Sequence, residues 1–83
     1  MNNQIFEPVE VIGYFCGMNF NIIKFKWRES IFNVTDINAT WKVRSGNSYT
    51  YHYSVSCMKQ NKICELTYDI TSFKWEIIQI TEI

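Results

Sequence analysis

Trp27, Trp41 and Trp75 each sit in a run where apolar and polar residues alternate. A period of two belongs to a β-strand with one buried and one wetted face. The clearest run is Tyr49 to Met58: Tyr51, Tyr53, Val55 and Cys57 share one side, and Thr50, His52, Ser54 and Ser56 share the other. One-sided burial is the mark of an antiparallel sheet rather than a parallel one. No stretch shows a convincing helical period. The chain therefore predicts an all-β, antiparallel domain with an aromatic core.

The pattern predicts six strands. Residues 1–7 read as a loose tail ending at Glu7-Pro8, where proline can open an edge strand. Strands follow over 9–15, 22–27, 31–43, 49–58, 63–69 and 74–80. In the second, Ile23, Phe25 and Trp27 share the inner face, with Lys24 and Lys26 opposite. Glu29-Ser30 as a two-residue loop would set Trp27 against Phe32 and Phe25 against Val34. The inner phase of the third strand slips between Val34 and Ile37, which implies a bulge near Thr35-Asp36 and places Trp41 and Val43 inward. The fourth and fifth strands pair best with Cys57 opposite Cys64, Val55 opposite Leu66 and Tyr53 opposite Tyr68. Their outer face then pairs Ser56 with Glu65, Ser54 with Thr67 and His52 with Asp69. In the last strand Trp75 and Ile77 disagree in phase with Ile78 and Ile80, so it is either covered on both faces or bulged. A meander of six strands in one 83-residue domain, strongly twisted, predicts a small open barrel, SH3-like in shape.

Composition narrows the functions. Eight basic and eight acidic side chains give a formal net charge of zero. Nonspecific nucleic-acid binding draws on a cationic surplus that this chain lacks globally. Cys16, Cys57 and Cys64 make no C-x-x-C pair, and His52 is the sole histidine. That spacing gives no zinc site, and an odd cysteine count argues against a disulfide framework. No apolar run is long enough to span a bilayer, and Met1-Asn2-Asn3-Gln4 lacks the basic start of a signal peptide. The expectation is a cytoplasmic protein with no metal, no cofactor and no membrane segment.

Three constellations carry chemistry. His52, Glu65 and Asp69 would share the outer face of the fourth and fifth strands. A histidine held by a carboxylate is half of an acid–base pair, but no nucleophile stands beside it, so the chain reads as a non-enzyme whose His52–Asp69 contact is a surface charge pair or lines a groove. Lys24, Lys26, Arg28, Lys42 and Arg44 would gather on the outer face of the second and third strands. Interleaved with aromatic rings they would make a nucleic-acid platform, yet parity sends the rings of the second strand the other way. Tyr49, Tyr51 and Tyr53 share one face, as core packing or as a stacking or peptide-binding surface.

The landmarks Glu7-Pro8-Val9-Glu10-Val11, Phe25-Lys26-Trp27, Trp41-Lys42, Tyr53-Ser54-Val55, Glu65-Leu66 and Trp75-x-Ile77 together resemble a family of short bacterial all-β domains of unknown function. Members of that family also occur beside lesion-bypass (Y-family) DNA polymerases. The resemblance spans about Glu7 to Ile80 and implies a fold rather than an activity, with no catalytic residues to transfer. It leaves three expectations in order: a protein-interaction module that self-associates as a homodimer, a nucleic-acid-associated accessory domain, and an enzyme using His52, Asp69 and Glu65.

Overall fold

A computed structural model describes residues 4–83. They form eight strands: β1 (Gln4–Pro8), β2 (Glu10–Cys16), β3 (Asn19–Trp27), β4 (Ser30–Asn33), β5 (Asp36–Ser45), β6 (Ser48–Cys57), β7 (Lys62–Asp69) and β8 (Lys74–Glu82). One 3-10 turn, Met58–Gln60, joins β6 to β7. The strands make two antiparallel sheets, ordered β1-β8-β7-β6-β5 and β2-β3-β4. The hydrogen-bonded ladder does not close into one continuous barrel. Residues 4–7 of the expected tail are strand; residues 1–3 of it lie outside the described residues.

Eight strands stand where six were expected because two long strands each serve both sheets. Proline has no N–H to give a ladder, and the first break comes directly after Pro8. The Val9 N–H then donates to the Trp75 carbonyl at 3.1 Å. The second break falls at Val34-Thr35. The Val34 N–H donates back to Ile23 in the small sheet at 2.9 Å, and the next one, Thr35, donates to Ser56 in the large sheet at 2.8 Å. Two successive amides thus hand the chain from one sheet to the other. The expected bulge near Thr35-Asp36 is this crossing. A true bulge lies at Asn38, where the register steps from Ile37↔Val55 to Ala39↔Ser54.

That bulge corrects the faces of β5. Trp41 pairs with His52 and Val43 with Thr50, on the outer side, whereas Lys42 pairs with Tyr51 on the inner side. Trp41 is 40% exposed. A second bulge turns Ile23 outward: Ile12 faces Lys24, but Gly13 faces Ile22. Ile22, not Ile23, is therefore buried. Gly13 is required there, since a Cβ would strike the Asn21 carbonyl oxygen and lie 2.7 Å from Cζ of Phe20. The irregularity of β8 is also a bulge. Leu66 faces Ile77 and Glu65 faces Gln79, which skips Ile78 and brings Ile80 in phase with the core.

Two registers differ from expectation. The β3–β4 loop is Arg28-Glu29, with Trp27 opposite Ser30 and Phe25 opposite Phe32. Arg28 takes a φ of 58°, so the loop starts one residue earlier than the sequence implied. Between β6 and β7 the slip is two residues: Val55 faces Cys64, Tyr53 faces Leu66 and Tyr51 faces Tyr68. A slip of two keeps every side chain on its face but changes every partner. Cys57 therefore faces Lys62, and Cys64 is its diagonal neighbour.

The core lies between the sheets. Ile22, Phe25 and Phe32 come from the small sheet; Val55, Cys57, Cys64, Leu66 and Ile77 come from the large one. Phe25 and Phe32 stack in parallel with centroids 5.0 Å apart. Both buried cysteines are free thiols. The Cys57 thiol beside it, with burial, pushes the Cys64 thiol well above its ordinary value. Glu7 clasps the β3–β4 hairpin. Its carboxylate accepts from Trp27 Nε1 at 2.9 Å and from Arg28 at 3.0 and 2.8 Å. The Arg28 guanidinium also lies 4.5 Å over the Trp27 ring.

Candidate aromatic cleft

Towards the β2–β3 hairpin the small sheet covers the inner face of the large one only in part. Parity on β6 points Tyr49, Tyr51 and Tyr53 to this face. Tyr68 of β7 and Trp75 of β8 continue the row, because Tyr51 pairs with Tyr68 and Tyr68 with Trp75. Across the gap, the β2–β3 hairpin contributes Phe15, Met18 and Phe20. The result is a cleft of about 340 Å³ lined by Phe15, Met18, Phe20, Tyr51, Tyr53, Tyr68 and Trp75.

The rings form one connected chain. Centroid separations are 5.0 Å for Phe15–Phe20, 5.7 Å for Phe20–Trp75, 4.8 Å for Trp75–Tyr68 and 5.4 Å for Trp75–Tyr53. Tilted contacts at such distances hold rings firmly. The floor is therefore rigid and the rim is open: Tyr51 is 37% exposed and Met18 is 99% exposed. Burial, with Tyr51 and Tyr68 beside it, raises the Tyr53 phenol above its ordinary value, so it stays a hydrogen-bond donor.

A second cleft of about 400 Å³ adjoins the first through Met18, Phe20, Tyr51 and Tyr53. Its walls are the loose edges of β3 (Asn19, Asn21) and β5 (Thr40, Lys42). Lys42 arches over Tyr49, its Nζ 4.6 Å from the ring centroid. Arg44 pairs with Tyr49 on the same face. No carboxylate lines either cleft among the described residues.

The expected basic strip therefore does not exist as one surface. Lys24 and Lys26 lie on the outer face of the small sheet, opposite Ile12 and Glu10. Arg28 is bound to Glu7. Lys42 and Arg44 are the two that lie on the cleft face, Lys42 over the Tyr49 ring and Arg44 donating through Nε to the Gly46 carbonyl at 3.1 Å. Unbroken alternation along β5 would send Trp41 inward and these two outward; the Asn38 bulge reverses both.

The expected His52–Asp69 pair is also corrected. With the two-residue slip, His52 faces Thr67, and its Nδ1 lies 3.0 Å from Oε2 of Glu65. Trp41 stacks on the imidazole at 5.3 Å with ring planes 15° apart. Asp69 instead caps the following turn, accepting from the Thr71 N–H at 2.8 Å. That bond holds its carboxyl below the usual range. The outer face thus carries a fixed Trp41–His52–Glu65 stack. No cluster of three or more metal-ligating side chains occurs among the described residues, and no helix is long and apolar enough to cross a membrane.

Comparison with protein-family models, with curated proteins and with solved structures returns no match to this chain, so its site is argued from its own chemistry.

Proposed function

We propose that this chain is a non-enzymatic binding module that seats an extended segment of another protein in the aromatic cleft. In this reading the two sheets are the walls of a small, half-open, SH3-like barrel, and the cleft is its mouth. The observation that carries it is a braced floor of half-buried Tyr53, Tyr68 and Trp75 beneath an open rim of exposed Phe15, Met18 and Tyr51, with Lys42 at its lip. The rim residues serve no core. Aromatic grooves with a few fixed polar groups take extended peptides at low entropic cost. The zero net charge suits a protein ligand better than a polyanion. In a reducing cytoplasm Cys16, Cys57 and Cys64 stay thiols.

The test is titration of the isotope-labelled chain with proline-containing peptides and, separately, with single-stranded oligonucleotide. Peptide binding that shifts the Trp75 indole and is lost in Tyr51→Ala supports the reading. Salt-dependent binding of the oligonucleotide at this cleft, with peptides inert, overturns it in favour of a nucleic-acid accessory role.

A second reading is carried by the outer face of the small sheet, where Ile12, Tyr14, Ile23 and Ile31 are all exposed. These apolar side chains, interleaved with Glu10, Lys24 and Lys26, fit a second copy of the chain, and the module would then act as a homodimer.

A further inference from the structure

The cleft explains the inner face of β5 but not its outer face or its free edge. β5 pairs only with β6, so beyond the Asn38 bulge the backbone of Ala39–Arg44 has no strand on its far side. The facing strand, β3, is bonded along Asn19–Ile22 to β2 alone. Two unsatisfied strand edges therefore border one slot, and the slot opens into the cleft. The other sheet edges are poorer templates: β1 is short, bulged and ends in Pro8, β4 has four residues, and the bulge between Ile12 and Gly13 breaks β2 into shorter runs.

Side chains along β5 alternate in chemistry as well as direction. Trp41 and Val43 face out, exposed; Lys42 and Arg44 face in beside Tyr49 and Tyr51. Trp41 is held flat by His52, which Glu65 fixes in turn. An exposed ring so braced is ready for a partner and loses little freedom on contact.

We propose that the free edge of β5 accepts an extended segment of a partner protein as an added strand, and that this segment alternates apolar and acidic residues. Residues directly opposite in a ladder share a face. Those facing Trp41 and Val43 are apolar; those facing Lys42 and Arg44 are carboxylates. Lysine on an edge strand also discourages indiscriminate pairing. Here the same charge selects: it repels basic strands and admits acidic ones. The inference rests on the cleft being a protein-binding site and specifies how and what it binds.

The probe is a short peptide alternating valine and glutamate, with a valine–lysine peptide as control. Two further versions carry N-methyl groups, on the valines or on the glutamates. Only one set of amides can face β5, so one methylated version should lose binding while the other keeps it. Amides of Ala39–Arg44 should shift and become protected from exchange. Lys42→Glu should weaken the acidic peptide roughly three- to tenfold and improve the lysine peptide. Equal binding of both methylated versions, with shifts confined to Tyr53 and Trp75, would overturn strand addition and leave the cleft reading intact. Oligonucleotide binding with both peptides inert would overturn both, and absence of all binding would overturn the stated peptide chemistry.

Discussion

Three tryptophans share a strand environment, yet they differ in what their removal should cost. Trp27 packs against Phe32 at 6.2 Å and donates to Glu7; Trp75 contacts Phe20, Tyr53 and Tyr68. Trp41 lies on the outer face. Trp27→Ala and Trp75→Ala should each destabilise by roughly 2–4 kcal/mol, a cavity-forming loss, and Trp41→Ala by under about 1 kcal/mol. Urea unfolding monitored by circular dichroism separates them, and equal losses at all three would contradict the β5 face assignment. Glu7 sets a pH dependence. Its hydrogen bond from Arg28, then that from Trp27, lowers its carboxyl below the usual value. A depressed carboxylate contributes stability above its unfolded-state pKa and loses it as pH falls through the folded one. Wild type should therefore lose stability on acidification faster than Glu7→Gln; parallel curves would dismiss the clasp.

At the scale of elements, composition and parity were legible and partners were not. The inward set Tyr51, Tyr53, Val55 and Cys57 followed from alternation alone. The β6–β7 register did not, because a two-residue slip preserves that alternation. The deciding feature is the Met58–Gln60 turn, closed by Asn61 at a φ of 55°, which sets the four-residue loop at 58–61 rather than 59–62. Bulges were the other blind spot. Asn38 and Ile23 look like ordinary strand residues, and each inverts the faces beyond it; in β8 the phase of Ile78 and Ile80 did announce a bulge as one of two alternatives. The cleft was half legible: its tyrosines shared a face in sequence, but Lys42 and Arg44 joined them only through the Asn38 bulge. The register has its own check. A double-mutant cycle on His52→Gln and Glu65→Gln should return a coupling of about 0.5–1.5 kcal/mol, and one on His52 with Asp69→Asn should return none. Coupling to Asp69 instead would restore the rejected register.

For the whole molecule, exposed Ile12, Tyr14, Ile23 and Ile31 make concentration the variable to watch. Light scattering at micromolar concentration should give a mass near twice 9.9 kDa, reduced to the monomer by Ile23→Lys. A monomer mass in the wild type would discard the dimer reading. The seam between β1 and β8 has a mechanical meaning as well. It runs antiparallel, with Gln4 beside Gln79 and Pro8 beside Glu76. The two ends of the described chain therefore leave from the same end of that seam. Tension applied through them loads the backbone bonds one after another, as a zipper is drawn, rather than all together in shear. Each such bond contributes little alone. A tethered module of this kind should peel open at low force, releasing β1 before the paired sheet behind it gives way.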